Sequence, residues 1–155
     1  LVPARHFGGR GPVWRRSFWA GFALEAGGRK IFYSGDSGYG RHFREAGERL
    51  GPFDLAVLEC GQYDRLWAPV HMTPEETAQA AADLGAKAAM PVHCARFVIS
   101  RHDWDDPLIR FAKAVEELNS RLSSPIRAVT PVIGAEISPF DQAASYGRWW
   151  EAVKP

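Results

Sequence analysis

The chain reads as an α/β fold with a mixed β-sheet and flanking helices, and three observations carry that reading. Short apolar runs (Lys30 to Ser34, Asp54 to Leu58, Ala88 to Val92) alternate with stretches of helical periodicity, as in a layered α/β domain. Gly27-Gly28 separates two strand-like segments and reads as a hairpin, so the sheet is not purely parallel. Polar residues suited to chemistry stand where strands run into turns: His6, Asp36 and His93.

Leu1 to Ala4 resembles the end of a strand, with Pro3 marking an exposed or terminal position. His6 to Pro12 is a glycine-rich loop. Ser17 to Glu25 alternates bulky and small residues as a half-buried strand does, and Lys30 to Ser34 returns as its partner. Helical periodicity runs from Tyr39 to Leu50, with Phe43, Ala46 and Leu50 on one face and Gly51-Pro52 as the stop. Asp54 to Leu58 suits a strand covered on both faces. Cys60 to Met72 is an aromatic-rich loop. Thr73 then caps a helix, Pro74 fits its first position, Glu76 closes a capping box, and the alanine-rich helix ends at Gly85. Ala88 to Val92 is the next strand. Asp106-Pro107 opens another helix, with Leu108, Phe111, Ala112, Val115 and Leu118 on its stripe. Arg127 to Pro131 is the final strand candidate, and Trp149-Trp150 is expected to cap an edge.

With 155 residues the chain suffices for one domain with a core, or for half of a larger one. Nineteen Lys and Arg against eighteen Asp and Glu leave a net charge of +1. The basic spots at Arg15-Arg16, Arg29-Lys30 and Arg96 to Arg101 are too short for a nucleic-acid stripe, so no nucleic-acid partner is expected. No apolar run is long enough for a transmembrane helix. Cys60 and Cys94 each stand alone: one disulfide is open to them, no framework is implied, and a reducing, cytoplasmic setting fits. The chain opens with Leu-Val-Pro-Ala rather than Met, so an N-terminal targeting segment before it stays open.

Asp36 lies in Gly35-Asp36-Ser37-Gly38-Tyr39-Gly40, directly after an apolar strand, which places a carboxylate at the sheet edge where α/β proteins keep their sites. The rival reading is an Asx turn that caps the following helix, and both stand on the local pattern. The glycine spacing is neither a dinucleotide fingerprint nor a P-loop, which disfavours a nucleotide-binding regulatory domain. His93 leaves a buried strand near the same edge, as a ligand or as a structural histidine. His6 is a comparable strand-to-loop candidate on thinner grounds. His71, just before the Thr73 cap, either orients a ligand, contacts substrate or is a plain loop histidine. His42 and His102 read as solvent-exposed. Asp103, Asp105 and Asp106 lack the rest of a calcium loop and read as a helix start. Tyr63, Trp67 and Phe97 either wall an apolar pocket or pack as ordinary loop residues.

The segments SGDSGYGRHFREAGERLGPFDLAVLECGQYD and HMTPEETAQAAADLGAKAAMPVHCARF together resemble the metallo-β-lactamase-fold hydrolases. Within them they look like the branch holding N-acyl-phosphatidylethanolamine-hydrolysing phospholipase D and RomA-like bacterial proteins. The resemblance covers about residues 1 to 140 and implies half of an αββα sandwich with a metal centre, usually of two zinc ions, at one edge. It implies metal ligation by His6, Asp36 and His93, with Asp36 bridging the two ions, and a role near substrate for His71. Metal-activated water would then attack a phosphodiester or phospholipid-like substrate.

The family's first motif, His-x-His-x-Asp-His, does not occur in the chain. Residues 1–155 are therefore expected to be a C-terminal portion of such a domain, incomplete or inactive alone, with weak or absent zinc binding. The missing N-terminal half, or self-association, would cover its open apolar face. Cys94-Ala95 replaces the Trp-Gly that relatives commonly carry after the second-metal histidine, and the loop Glu59-Cys60-Gly61-Gln62-Tyr63 is less apolar than in the lipase. Those departures put lipid specificity in doubt. The alternative function is a non-catalytic α/β interaction module that retains remnants of the metal site.

Overall fold

Among the described residues six strands form one sheet whose spatial order repeats their order in the chain. The structure is a computed structural model; it describes residues 1–7, 18–141 and 143–153. Most of the glycine-rich loop (residues 8–12), the Arg15-Arg16 spot and Ser17 at the expected start of a strand lie outside the described residues.

Strands β1 (Val2–Pro3), β2 (Ala20–Ala26) and β3 (Arg29–Tyr33) are antiparallel neighbours. Gly27 and Gly28 both adopt positive φ, +56° and +72°, which glycine tolerates, and they join β2 to β3 as a two-residue hairpin. From β3 onward the sheet is parallel: β4 (Leu55–Glu59), β5 (Ala88–Val92) and the two-residue β6 (Arg127–Ala128) follow side by side. Each parallel crossover contains a helix: α1 (His42–Leu50), α2 (Pro74–Asp83) and α3 (Asp106–Asn119). This is the mixed α/β sheet that the hairpin and the alternation imply, in the form of one half of an αββα sandwich.

The register assigns each face. Phe32, Ala56 and Ala89 are successive partners across β3, β4 and β5, and with Leu58 they pack under Phe43 and Ala46 of α1, Ala78 and Ala81 of α2, and Phe111 and Val115 of α3. The alternate residues, Phe22 and Leu24 of β2, Ile31 and Tyr33 of β3, Val57 and Met90, form the opposite apolar row. Among the described residues, Ile137, Phe140 and Tyr146 from the C-terminal stretch cover Ile31, Val57 and Met90 of that row, and Phe22, Leu24 and Tyr33 stay exposed.

The start of α2 is as the sequence implies: Thr73 accepts from the Glu76 N–H, the Glu76 carboxylate accepts from the Thr73 N–H, and Pro74 opens the helix. Several boundaries differ. β2 runs from Ala20, with the described Phe18 and Trp19 outside it. Helix α1 begins at His42 rather than Tyr39, because the chain through Gly38 and Gly40 is still turning. β6 stops at Ala128, although the Val129 N–H still donates to the Ala89 carbonyl at 2.8 Å. Trp150 does not cap a sheet edge: it lies in a 3-10 turn, Trp149–Ala152, buried against Leu108 and Ala112 of α3. Both cysteines are free thiols.

Two histidines expected at the surface are not there. His42 is buried with its Nε2 3.3 Å from the Ser37 hydroxyl, and desolvation holds its pKa below the usual histidine value. The half-buried His102 accepts the Gln62 N–H at Nε2 over 3.1 Å and stacks on Tyr63, so it braces a loop.

Candidate functional site

The turn after β3 does not use Asp36 as a helix cap. Helix α1 starts six residues later, with Arg41 at the cap position and no side-chain cap hydrogen bond. The turn is instead tied to the exit of β1. Ser37 Oγ accepts from the Arg5 N–H at 2.9 Å, the Gly38 N–H donates to the Arg5 carbonyl at 2.9 Å, and the Arg5 guanidinium donates to the Tyr39 carbonyl. Ser37, the buried end of this latch, is fully dry, while Arg5 closes it from the exposed side, and the latch places His6 and Asp36 on one rim. Gly38 is needed by close approach: a Cβ there would lie 2.4 Å from the Pro69 carbonyl oxygen, on the loop that leads to His71.

The ends of β4 and β5 meet in a similar way. A Cβ on Gly61 would lie 2.1 Å from the His93 carbonyl oxygen, so only glycine lets the two chains come together. His93 has φ of +63°, and Gln62 and Ala95 are also left-handed, at +60° and +65°. Such a conformation costs a non-glycine residue about 1–2 kcal/mol, and clustering of this strain is typical of sites where a side chain must be aimed.

His6, Asp36, His71 and His93 line one cleft of about 370 Å³, with Phe7, Gln62, Trp67, Val70 and Ile99 completing its walls. The His71 ring lies 5.6 Å from that of His93, nearly parallel, and 5.5 Å from that of His6, edge-on. His93 Nε2 is 4.0 Å from Asp36 Oδ2. Of the aromatic residues expected to wall a pocket, Trp67 does so. Tyr63 instead donates to Asp106 beneath the Arg110 guanidinium, which also bridges to Glu75, and Phe97 is exposed. Asp106 stands in the first turn of α3, in line with the helix-start reading of that acidic cluster.

Two buried polar residues at this site were not singled out by the sequence reading. Glu59, the last residue of β4, is 1% exposed, and burial pushes its pKa up to about 7 despite hydrogen bonds that favour the charge. Its Oε1 lies 3.0 Å from His71 Nδ1, and its Oε2 accepts the Met72 N–H at 3.0 Å. An acidic residue closing the apolar run Leu55 to Leu58 was the available signal. Gln62, 5% exposed, gathers the loop that supplies Ile99: its Oε1 accepts from the Ile99 and Ser100 N–H groups, and its Nε2 donates to the Phe97 carbonyl.

The donor chemistry of His6, Asp36 and His93 suits zinc, and His93 Nε2 and Asp36 Oδ2 stand 4.0 Å apart. Ligands sharing a tetrahedral zinc lie about 3.3 Å from one another, given metal–ligand distances near 2.0 Å. Among the described residues no group of three or more His, Cys, Asp or Glu is placed to hold a metal ion.

Residues 1–94 match the family model of the beta-lactamase superfamily domain. The chain belongs to the metallo-β-lactamase-fold superfamily. It is 53% identical over 96 residues to the outer membrane protein RomA of Klebsiella pneumoniae, a match covering 62% of this chain and 73% of that one. It is 32% identical over 152 residues to an uncharacterized protein of Mycobacterium tuberculosis, covering 96% of this chain and 39% of that one. Matches at 32–37% identity reach N-acyl-phosphatidylethanolamine-hydrolyzing phospholipases D and metal-dependent hydrolases of the UPF0173 group, so no branch dominates. Among solved structures, the metallo hydrolase Igni18 of Ignicoccus hospitalis superposes with a TM-score of 0.57 at 20% identity. That likeness covers 83% of this chain and 48% of Igni18, and it speaks for the fold alone. The chain thus spans less than half the length of the mycobacterial relative and of Igni18. No helix among the described residues is long and apolar enough to cross a membrane.

Proposed function

We propose that this chain, by itself, is a non-catalytic α/β interaction module carrying part of a hydrolase metal site, and that hydrolysis belongs to a longer protein that completes the site. One observation supports this above the others: His6, Asp36, His71 and His93 converge on a single cleft, yet among the described residues no three donors are close enough to hold a metal. The half-covered apolar row of the sheet favours the interaction role, with the rest of the parent domain as its partner.

In the completed protein, His6 and His93 would each serve one zinc, Asp36 would bridge the two, and His71 would contact substrate. The substrate class is a phosphodiester. Names of phospholipase D relatives favour it, and apolar cleft walls from Phe7, Trp67, Val70 and Ile99 suit a diester bearing an apolar group. RomA is the branch with the highest identity among those matches. Two free cysteines, Cys60 buried and Cys94 half-buried, suit a reducing compartment, so we place the chain in the cytoplasm.

The second reading, a zinc-dependent hydrolase in its own right, rests on the same convergence of side chains. Zinc titration by calorimetry and hydrolysis of bis(p-nitrophenyl) phosphate separate the two, on this chain and on the longer parent. We expect neither stoichiometric zinc nor turnover from this chain, and both from the parent. Zinc binding with turnover by the chain alone would establish the second reading. An inert parent would remove hydrolysis from the proposal and leave the interaction module.

A further inference from the structure

We infer that Glu59 is a positioning residue for His71, fixing its ring with the proton on Nδ1 and leaving Nε2 as a proton acceptor facing the cleft. The geometry supplies the argument. Glu59 presents two oxygens in a dry pocket, one to His71 Nδ1 at 3.0 Å and one to the Met72 N–H at 3.0 Å. A backbone N–H can only donate, so Oε2 must accept. Above the value of about 7 to which burial raises its pKa, Glu59 is an ionised, acceptor-only carboxylate, so Oε1 also accepts and His71 Nδ1 is the donor. Neutral imidazole carries one N–H, which makes Nε2 the acceptor.

The surroundings lock this choice. His71 follows the turn Trp67 to Val70, in which its own N–H donates to the Trp67 carbonyl at 2.9 Å, and it precedes the capping box that anchors α2. The ring is held between His6 and His93 and lines the cleft. Glu59 is anchored from its own backbone as well: its carbonyl accepts the Thr77 hydroxyl of α2 at 2.9 Å, and its N–H donates to Ser34 Oγ at 2.9 Å. Neither partner can turn away without breaking buried hydrogen bonds. A nitrogen acceptor held in this way suits a ligand that offers an O–H, a water or an alcohol, and can take its proton.

This deepens the reading of His71 as a substrate contact, and it rests on that reading only for the purpose of the acceptor. The tautomer itself is testable without metal or substrate, so its failure would leave the half-site proposal standing. The measurement is long-range proton–nitrogen NMR of the imidazole rings in the full chain, well above neutral pH, with His71→Gln assigning the resonances. We expect His71 to carry its proton on Nδ1. In Glu59→Gln the amide oxygen must serve the Met72 N–H, which turns the amide NH₂ toward His71 Nδ1 and makes that nitrogen an acceptor. The tautomer should therefore invert to Nε2–H. A wild-type His71 with its proton on Nε2 would overturn the inference, and so would a folded Glu59→Gln protein that keeps Nδ1–H. Should that variant not fold, the wild-type spectrum still decides.

Discussion

On one face of the sheet Phe32, Ala56, Leu58 and Ala89 lie beneath three helices at no more than 1% exposure; on the other, Phe22, Leu24 and Tyr33 remain 42–53% exposed. Both rows are apolar and both come from the same alternation in the same strands. The difference lies in what the rest of the chain brings to each. Crossover helices carry Phe43, Ala78, Ala81 and Phe111 onto the first face and seal it. Among the described residues the second face receives Ile137, Phe140 and Tyr146, which shelter β3 to β5, while Phe22, Leu24 and Tyr33 of the hairpin stay exposed. Period-2 patterning thus assigns residues to faces, whereas closure depends on distant segments. The candidate cleft opens at the strand ends, where β1, β3 and β5 deliver His6, Asp36 and His93, and Glu59 at the end of β4 stands behind His71.

The largest effect should come from the sealed face. Leu58→Ala removes a side chain with no exposure and should cost about 2–5 kcal/mol in urea-induced unfolding, because the helices above cannot fully collapse into the void. A cost near zero would mean that the helical layer is not closed in solution, and the contrast between the faces would be lost.

The next effect reads how far that dryness extends toward the cleft. Glu59 has its folded pKa raised to about 7 from an ordinary 4.5, chiefly by burial. A raised carboxyl pKa means that the folded state holds the proton more tightly than the unfolded one. Its contribution is therefore fully present below pH 4.5 and is lost as pH rises toward 7. The loss should be on the order of 3 kcal/mol, at about 1.4 kcal/mol per unit. The difference in unfolding free energy between wild type and Glu59→Gln, followed across that window, isolates this group from His42, whose lowered pKa acts with the opposite sign. A flat difference would place water around Glu59. A smaller effect is due to the cap of α2: Thr73→Ala should cost about 1 kcal/mol by the same measurement, with α2 otherwise retained. No loss would mean that packing alone positions this helix.

The layered architecture was legible because it rests on local signals: the Gly27-Gly28 hairpin, the Thr73-Pro74-Glu76 helix start, and apolar runs of strand length. The convergence of His6, Asp36 and His93 was foreshadowed by their positions at strand ends and by the resemblance, that of His71 by the resemblance alone, and their distances by neither. Glu59 and His42 were obscure because their burial is decided outside their own elements. Thr77 and Met72 close over Glu59 from 18 and 13 residues away, while Ser37 meets His42 across only five, through a turn whose path the local pattern leaves open. The left-handed backbone at His93 also leaves no trace, since histidine bears no glycine-like mark of the conformation. Trp150 was misplaced for a related reason: a bulky tail residue finds whatever surface the fold leaves, here α3 rather than a strand edge.

The smallest effect tests the open face itself. Leu24 is 53% exposed in the middle of β2, opposite Ile31 in the hairpin register. Leu24→Thr keeps a residue suited to a pleated strand and gives up little buried area, so unfolding at low protein concentration should change by no more than about 0.5 kcal/mol. The same substitution carries a second readout, because a row of Phe22, Leu24 and Tyr33 in water is a site where chains can meet. If sedimentation shows the wild type as a monomer and Leu24→Thr unfolds at the same urea concentration, the hairpin face is free in this chain. If the wild type self-associates and the variant loses about 2 kcal/mol or more at a concentration where the wild type is assembled, Leu24 is being buried by another copy. The contrast between the two faces would then belong to the single chain and not to its assembled state.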